Sequence, residues 1–291
     1  MFHVEHGIPP LSLRTGYSEE MGAPESAVTA PARTTRVIAV ALQKGGVGKT
    51  TTTINLGACL AEQGYRVLIL DMDPQGNASS GLNFNIRTTE KNIYDVLIDD
   101  VPLEDVVEST EVRNLFMVTA NQRLAGAEVE LVPMLGRETR LKAAVAPIKE
   151  QFDYILIDCQ PSLGLLTVNA LVAADEVFVP LKTDYFSLEG MIQLEESVRA
   201  IAKFANPTLE ITRIILTMHD PRTNLASQVV QEVRQKWGAR VCQAMIPDSV
   251  RLAEAPSYGK PITTFDPSSA GAKAYRAVAL EVSGGEAKRS G

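Results

Sequence analysis

The sequence predicts an α/β fold in which helices cover both faces of a doubly wound, mostly parallel sheet. Two observations predict this class: short apolar runs without polar alternation recur along the chain, and helical stretches lie between them. Unbroken apolar runs are typical of strands that are covered on both faces, as in parallel sheets. A chain of 291 residues is long enough for one large domain of this class or two small ones.

Strands and helices alternate in the predicted order of elements. The predicted strands are residues 36–42, 66–73, 153–159, 176–181 and 211–218. The predicted helices are residues 50–63, 89–98, 163–173, 186–204 and 223–237. Gly64 and Gly238 are predicted to end the first and the last of these helices. Alternation of this kind indicates a doubly wound sheet, in which ligands bind at the carboxyl ends of the strands.

The first part of the chain differs in composition from the rest. Residues 1–34 contain four prolines and no sustained hydrophobic period, so we predict a disordered N-terminal extension followed by one domain over 35–291. Met21 is an alternative start of translation. The chain has no apolar run of 18 residues, and residues 1–20 lack the hydrophobic region of a signal peptide. We therefore expect a soluble, cytoplasmic protein without a membrane partner.

Cysteine usage and charge restrict the possible functions. The three cysteines, Cys59, Cys159 and Cys242, are far apart and form no C-x-x-C pair, which argues against a disulfide framework or a zinc site. The net charge is −7, but residues 208–291 hold 11 Lys and Arg against 8 Asp and Glu. Two interpretations of this imbalance remain open, a basic face in the C-terminal third and a random scatter of surface charge.

The segment KGGVGKTT, residues 44–51, has the composition and context of a phosphate-binding loop. A predicted strand leads into it and a predicted helix follows, as in P-loop NTPases. Its glycines allow backbone N–H groups to approach a phosphate, Lys49 is expected to reach the β- and γ-phosphates, and Thr50 is expected to bind Mg²⁺. The alternative is a glycine-rich turn without a ligand. The predicted nucleotide contacts in the loop are Lys44, Gly45, Gly46, Val47, Gly48, Lys49, Thr50 and Thr51.

The loop departs from the standard pattern G-x-x-x-x-G-K-[ST] in one informative way. Gln43 occupies the position of the first glycine, and a second lysine, Lys44, follows it. A loop that already has Lys49 for its phosphate needs a separate reason for a second cation.

Carboxylates end two of the predicted strands. Asp71 and Asp73 end the strand 66–73, and Asp158 lies near the end of the strand 153–159. A carboxylate in a buried run is costly unless it meets a cation or hydrogen-bond donors, and a Mg²⁺ shell provides both. For Asp71 the sequence leaves open whether it takes part in catalysis or caps the next helix.

Six motifs together resemble the ParA/Soj family of chromosome-partitioning ATPases over roughly residues 35–285. In chain order they are KGGVGKTT, DMDPQGNAS, ILIDCQPSLG, TDYFSLEG, TMHDPRTNLA and VRLAEAPSYGKPI. Gln43 further separates this chain from MinD-like and nitrogenase-iron-protein-like ATPases, which usually read G-K-G-G at this point.

The resemblance implies an ATP- and Mg²⁺-dependent ATPase that forms a nucleotide-sandwich dimer. By this resemblance Lys44 reaches the phosphates bound by the other subunit, and Asp73 positions and polarises the attacking water. Asp158 is implied to hold Mg²⁺ through water, with Thr50 and Asp73 also assigned to the metal site. Met218 and Pro247 are implied to contact the base.

The resemblance also implies partners. Arg222 and Arg251 match positions where relatives carry arginines that contact DNA, so we expect non-specific binding to double-stranded DNA and a nucleoid-associated protein. The other interpretations are that Arg222 lies in the first turn of helix 223–237 and that Arg251 pairs with Glu254. A ParB-type centromere-binding protein is the implied stimulator of hydrolysis.

Two departures from the family pattern are visible. Gln160 occupies the place of a usual proline, and Asp248-Ser249 replaces a common Arg-Asn pair near the base site. The second departure leaves the base contacts of Pro247 and its neighbours open.

Three other functions remain as alternatives on the same fold. A MinD-like, membrane-associated ATPase needs a basic amphipathic C-terminal helix, but the tail breaks at Gly284-Gly285. An iron–sulfur carrier needs paired cysteines, which the spacing of the three cysteines does not favour. A small-molecule kinase fits the loop alone, but the C-terminal motifs argue against it.

Overall fold

A seven-stranded sheet organises the chain in this computed structural model, which describes residues 34–285. The strands lie in the order β3-β4-β2-β5-β1-β6-β7, and all neighbouring pairs are parallel except β3 and β4. Their bounds are β1 Arg36–Val40, β2 Val67–Met72, β3 Glu108–Ser109, β4 Leu115–Val118, β5 Tyr154–Cys159, β6 Glu176–Lys182 and β7 Glu210–Thr217.

The register of the central strands brings their carboxyl ends together. β1 lies between β5 and β6, and Val40 is level with Asp158. In the adjacent pair Asp71 of β2 is level with the same Asp158. The segments that follow β1, β2 and β5 therefore leave the sheet at one edge, where ligands bind in open α/β sheets.

Helices cover both faces of this sheet. Their bounds are α1 Lys49–Glu62, α2 Asn77–Gly81, α3 Ile93–Ile98, α4 Leu124–Glu130, α5 Arg140–Val145, α6 Leu165–Ala173, α7 Tyr185–Phe204, α8 Asn224–Trp237, α9 Val250–Glu254, α10 Ile262–Phe265 and α11 Ala270–Ser283. Short 3₁₀ helices are formed by Leu103–Val106, Lys149–Gln151, Gly238–Arg240 and Ala255–Tyr258. No helix within residues 34–285 is long and apolar enough to cross a membrane.

The hydrophobic core forms two layers, because alternate side chains of each strand point to opposite faces. Ile38 and Leu156 belong to the layer that contains α1 and α11. Val37 and Ile155 belong to the layer that contains side chains of α3 to α8. The continuous apolar runs are explained by this double coverage, since both sets of side chains are buried.

The structure confirms the fold class and the five predicted strands to within two residues at each end. Gly64 follows α1 with φ of 90°, and Gly238 caps α8 with φ of 54°, so both predicted helix ends are confirmed. The helix predicted over residues 89–98 is shorter in the structure. It begins at Ile93, because Asn92 is the N-cap of α3. Strands β3 and β4 and helices α2, α4, α5, α9, α10 and α11 were not predicted. The prediction of disorder over residues 1–34 falls, apart from Thr34, outside the described residues, as does the alternative start at Met21.

Candidate nucleotide-binding site

The glycine-rich loop joins β1 to α1 at the carboxyl edge of the sheet. Gly46 and Gly48 have φ of 70° and 88°, a left-handed conformation that glycine adopts without strain. The hydroxyl of Thr217, at the end of β7, donates to the carbonyl of Val47 at 2.8 Å. This bond fixes the middle of the loop to the sheet and leaves backbone N–H groups around the start of α1, where a phosphate is favoured.

Lys49 is held inside the loop. Its side chain is almost fully buried, and Nζ donates to the carbonyl of Lys44 at 2.8 Å. Burial lowers the pKa of the Lys49 ammonium, and the negative charge of Asp158 is the strongest opposing influence. The ammonium group of the predicted phosphate lysine is therefore held in place by the backbone of its own loop.

Asp158 is fully buried at the end of β5 and binds two hydroxyls of α1. Thr50 Oγ1 donates to it at 2.8 Å and Thr53 Oγ1 at 2.9 Å. Burial, and next the negative charge of Asp71, raise the pKa of Asp158. A hydroxyl and a carboxylate are the hard oxygen ligands that Mg²⁺ prefers. Within residues 34–285 no group of three or more His, Cys, Asp or Glu could hold a metal ion. Thr50 and Asp158 offer two oxygen donors beside the loop.

The structure separates the roles of Asp71 and Asp73. Asp71 is fully buried and accepts from the backbone N–H of Ser79 at 2.9 Å and from its hydroxyl at 2.7 Å. Asp71 thus caps α2, as one of the two interpretations predicted, and burial raises its pKa. Asp73 lines the large cavity beside the loop and accepts from Gln75 N at 2.9 Å. Asp73 is the strand-end carboxylate that a bound ligand can reach.

Two neighbouring cavities extend from the loop. The larger, about 890 Å³, and the smaller, about 140 Å³, share Gly48, Thr51 and Met218 in their walls. The larger is also lined by Gly45, Gly46, Lys49, Thr50, Asp73 and Gln160. The smaller is also lined by Thr217, Ile246, Pro247, Asp248, Ser249, Leu252 and Tyr275. Six of the eight predicted loop contacts and the predicted base contacts Met218 and Pro247 therefore line these two adjoining cavities (the recess), whereas Val47, which is fully buried, and Lys44 do not.

Lys44 is absent from the walls of both cavities. Its Nζ lies 2.9 Å from Asp184 Oδ1 and 3.3 Å from Ser187 Oγ, and 5.6 Å from the centre of the Phe186 ring. Asp184 also caps α7 by accepting from the N–H of Ser187 at 2.9 Å. The two lysines of the loop thus point to different places, one into the recess and one onto the start of α7.

The two arginines predicted to bind DNA lie on neighbouring segments, because a parallel bridge joins His219 to Pro247. Arg222 donates to both carboxylate oxygens of Asp220 at 2.8 Å. It precedes Thr223, the N-cap of α8, so the interpretation that it lies in the first turn of the helix is wrong.

Arg251 makes the predicted ion pair with Glu254 at 2.8 Å and a second pair with Asp266 at 3.0 Å. Its guanidinium also lies 4.4 Å from the centre of the Phe265 ring. The positive charges of both arginines are therefore partly balanced within the chain.

Comparison with known proteins identifies the family. The model of the AAA domain family matches residues 35–211. The chain is 52% identical to the sporulation initiation inhibitor protein Soj of Bacillus subtilis over 247 residues, which cover 85% of this chain and 98% of that protein. It is 48% identical to the chromosome partitioning protein ParA of Myxococcus xanthus, with 85% and 87% covered. The chain belongs to the ParA/Soj family of chromosome-partitioning ATPases.

A solved structure agrees with the fold assignment for this ParA/Soj protein. The cobyrinic acid a,c-diamide synthase of Mycobacterium smegmatis with bound ATP analogue and magnesium matches with a TM-score of 0.77 and 36% identity. The match covers 85% of this chain and 94% of that one. The sheet and the loop described above therefore form a P-loop NTPase fold.

Sequence reasoning missed several residues of this ParA/Soj site. Thr53 and Thr217 bind Asp158 and the loop, but nothing distinguishes their hydroxyls from those of their neighbours in sequence. Asp184 was not singled out, although Asp is one of the preferred residues at the N-cap of a helix. Glu128, which binds the loop after β5, carries no sequence signal at all.

Proposed function

We propose that this chain is a DNA-segregation ATPase whose ATP-bound dimer binds DNA non-specifically and is released when a ParB-type partner stimulates hydrolysis. The observation that carries the proposal is that the two lysines of the loop point to different places. Lys49 points into the phosphate recess, whereas Lys44 lies outside it on Asp184. A second cation that is not used by the chain's own recess is available for a phosphate in a neighbouring subunit.

ATP and Mg²⁺ are the ligands of the recess. The triphosphate occupies the larger cavity against Lys49 and the loop N–H groups, and the base lies in the smaller cavity between Met218 and Pro247. Thr50, Asp73 and, through water, Asp158 would hold the metal, which would neutralise charge on the phosphate oxygens. Support comes from the Mycobacterium smegmatis structure, which holds an ATP analogue and magnesium on the same fold.

Asp73 is the residue that positions and polarises the attacking water. It borders the larger cavity together with Lys49, while Asp71 is engaged by the hydroxyl and N–H of Ser79. A carboxylate within reach of a phosphate can orient a water and accept its proton. Asp73 and not Asp71 therefore suits this role.

The γ-phosphate controls dimerisation through Lys44. In the single chain Lys44 is paired with Asp184, and both side chains are only partly buried. A pair of this kind is weak, so exchange for a multiply charged phosphate costs little. Two cations on one triphosphate make the dimer depend on ATP and allow hydrolysis to dissolve it.

DNA binding is assigned to the surface that carries Arg222 and Arg251. One chain provides few phosphate contacts there, and Asp220, Glu254 and Asp266 reduce the charge. A dimer doubles the surface, and affinity rises steeply because each neutralised phosphate releases counterions. This chemistry predicts binding in the cytoplasm to the nucleoid without sequence preference.

The alternatives have less support in the described residues. The apolar face of α11 is buried against α1, and Tyr275 lies within hydrogen-bond distance of Thr52 at 3.1 Å, so this helix offers no free apolar face to a membrane. The three cysteines are buried, and burial raises the pKa of each thiol, which does not suit cluster ligands. The kinase alternative gains no observation in its favour.

Co-sedimentation with double-stranded DNA tests the proposal. The protein is incubated with ATP, with ADP or without nucleotide, on two DNA fragments of unrelated sequence. We expect sedimentation with ATP only, equal on both fragments and reversed by added salt. Equal sedimentation with ATP and ADP would overturn the proposed switch.

A further inference from the structure

A carboxylate from α4 holds the loop that follows β5, in addition to Thr167 Oγ1 of α6, which donates to the carbonyl of Ser162 at 2.6 Å. Glu128 Oε1 accepts from the side-chain amide of Gln160 at 2.6 Å and from the N–H of Leu166 at 3.4 Å. Glu128 Oε2 accepts from the N–H of Leu165 at 2.7 Å. Gly164, the N-cap of α6, makes no side-chain cap of its own. The side chain of Glu128 thus caps the N-terminus of α6 and also binds Gln160 at the start of the loop.

This contact leaves no room for a side chain at position 164. A Cβ built on Gly164 would lie 2.3 Å from Glu128 Oε1 and 2.6 Å from its Cδ. Such distances are far shorter than any normal contact, so the carboxylate would have to move. The glycine allows Glu128 to reach the backbone of α6.

The loop that Glu128 binds, residues 160–164, contributes to the wall of the phosphate recess. Gln160, Pro161 and Ser162 line the larger cavity together with Lys49 and Asp73. Gln160 stands two residues after Asp158, the carboxylate that binds Thr50. Glu128 itself does not line the cavity, so any influence on the reaction passes through Gln160 and the loop.

We propose that Glu128 is a positioning residue for ATP hydrolysis, which fixes the loop 160–164 against the phosphates through its bond to Gln160. This inference rests on the proposed ATPase function of the recess. It predicts that loosening the bond lowers kcat while ground-state nucleotide affinity changes little. Misplacing a reacting group by about 1 Å can cost up to about a hundredfold in rate, so we expect losses of roughly tenfold to a hundredfold.

A charge-swapped pair tests the bond directly. In Gln160→Glu two carboxylates face each other and the bond is lost, whereas in Glu128→Gln the amide of Gln160 can turn its oxygen toward the new N–H group and keep a bond. Gln160→Glu should therefore lose kcat by roughly tenfold or more and Glu128→Gln should stay within about threefold of wild type, with the Kd for ATP and ADP of both within about threefold of the wild-type value. In the double variant E128Q/Q160E the donor and acceptor are exchanged, so the side-chain bond and the contact to Leu165 N–H form again. We expect kcat to return to within about threefold of wild type.

Glu130→Gln is the matched control. Glu130 lies on the same helix but accepts from the hydroxyl of Tyr94 at 2.7 Å, away from the loop. The kcat of the Glu130→Gln variant should equal that of the wild-type protein. Thermal unfolding of every variant shows that the comparison is made between folded proteins. Wild-type kcat in Gln160→Glu, or no recovery of kcat when Glu128→Gln is added to it, would overturn the inference. Absence of hydrolysis in the wild-type protein would instead contradict the proposed ATPase function, so the two failures are distinguishable.

Discussion

Lys44 Nζ lies 2.9 Å from Asp184 Oδ1, so the second lysine of the loop is paired within its own chain. The same carboxylate caps α7, and Lys182 Nζ lies 3.4 Å from its other oxygen. The ammonium groups of Lys44 and Lys49 therefore have separate partners. If Lys44 serves a neighbouring subunit, this pair must open when the dimer forms.

Weakening the Lys44–Asp184 pair should favour the ATP-dependent dimer. Asp184→Asn keeps an N-cap side chain for α7 but removes the charge. A partly exposed ion pair is worth about 0.2–1 kcal/mol and one such pair opens in each subunit, so the dimer dissociation constant should fall by at most about thirtyfold. Analytical ultracentrifugation with ATP measures this dimer dissociation constant. Asp175→Asn, which removes a Lys149 contact at the amino end of β6, is the control. Weaker dimerisation in Asp184→Asn would show that Asp184 supports the dimer instead.

Lys49→Ala should abolish nucleotide binding. The substitution removes the buried ammonium that the loop presents to the phosphates, and no other lysine between residues 34 and 285 lines the larger cavity. Titration with a fluorescent ATP analogue measures the affinity. Retained binding close to the wild-type affinity would place the triphosphate somewhere other than the described recess.

Asp73→Ala should bind ATP and dimerise, but its rate of ATP hydrolysis should fall by about a hundredfold or more. This is the scale on which a general base contributes. The side chain reaches the cavity but holds no structural element other than the turn at Gln75. Phosphate release at saturating ATP measures the rate. The variant should also remain on DNA, since the dimer cannot be released. Wild-type turnover in Asp73→Ala would assign the water to another residue.

Arg222→Ala and Arg251→Ala should each weaken DNA binding without changing the ATP-dependent dimer. Each loss of a phosphate contact should make the slope of log K against log salt shallower by about one unit. Asp220→Asn should strengthen binding, because it releases the guanidinium of Arg222 from its bidentate pair. Arg276→Ala on α11, which removes a charge paired with Glu62 at the end of α1, is the control. No loss in either arginine variant would remove these residues from the DNA surface.

The sequence alone predicted the elements that are buried on both faces. The runs RVIAVAL, RVLILDMD and DYILIDC are continuous, so their strands and the carboxylates at their ends were recognisable. Strand β4 has only four residues and β3 has two exposed ones, too short for a hydrophobic period. The contacts that organise the site were not predictable, because Lys44–Asp184 and Glu128–Gln160 join residues 140 and 32 positions apart. Their meeting depends on how the sheet places the loops, which no local pattern encodes.

Light scattering of Lys44→Ala with ATP tests the central claim most directly. The claim is that Lys44 serves the phosphates of the neighbouring subunit and Lys49 those of its own. We expect the wild-type protein to change from monomer to dimer on addition of ATP and not of ADP. The Lys44→Ala variant should still bind ATP measurably and remain a monomer at the same concentration. An ATP-dependent dimer of Lys44→Ala with the stability of the wild-type dimer would contradict the account.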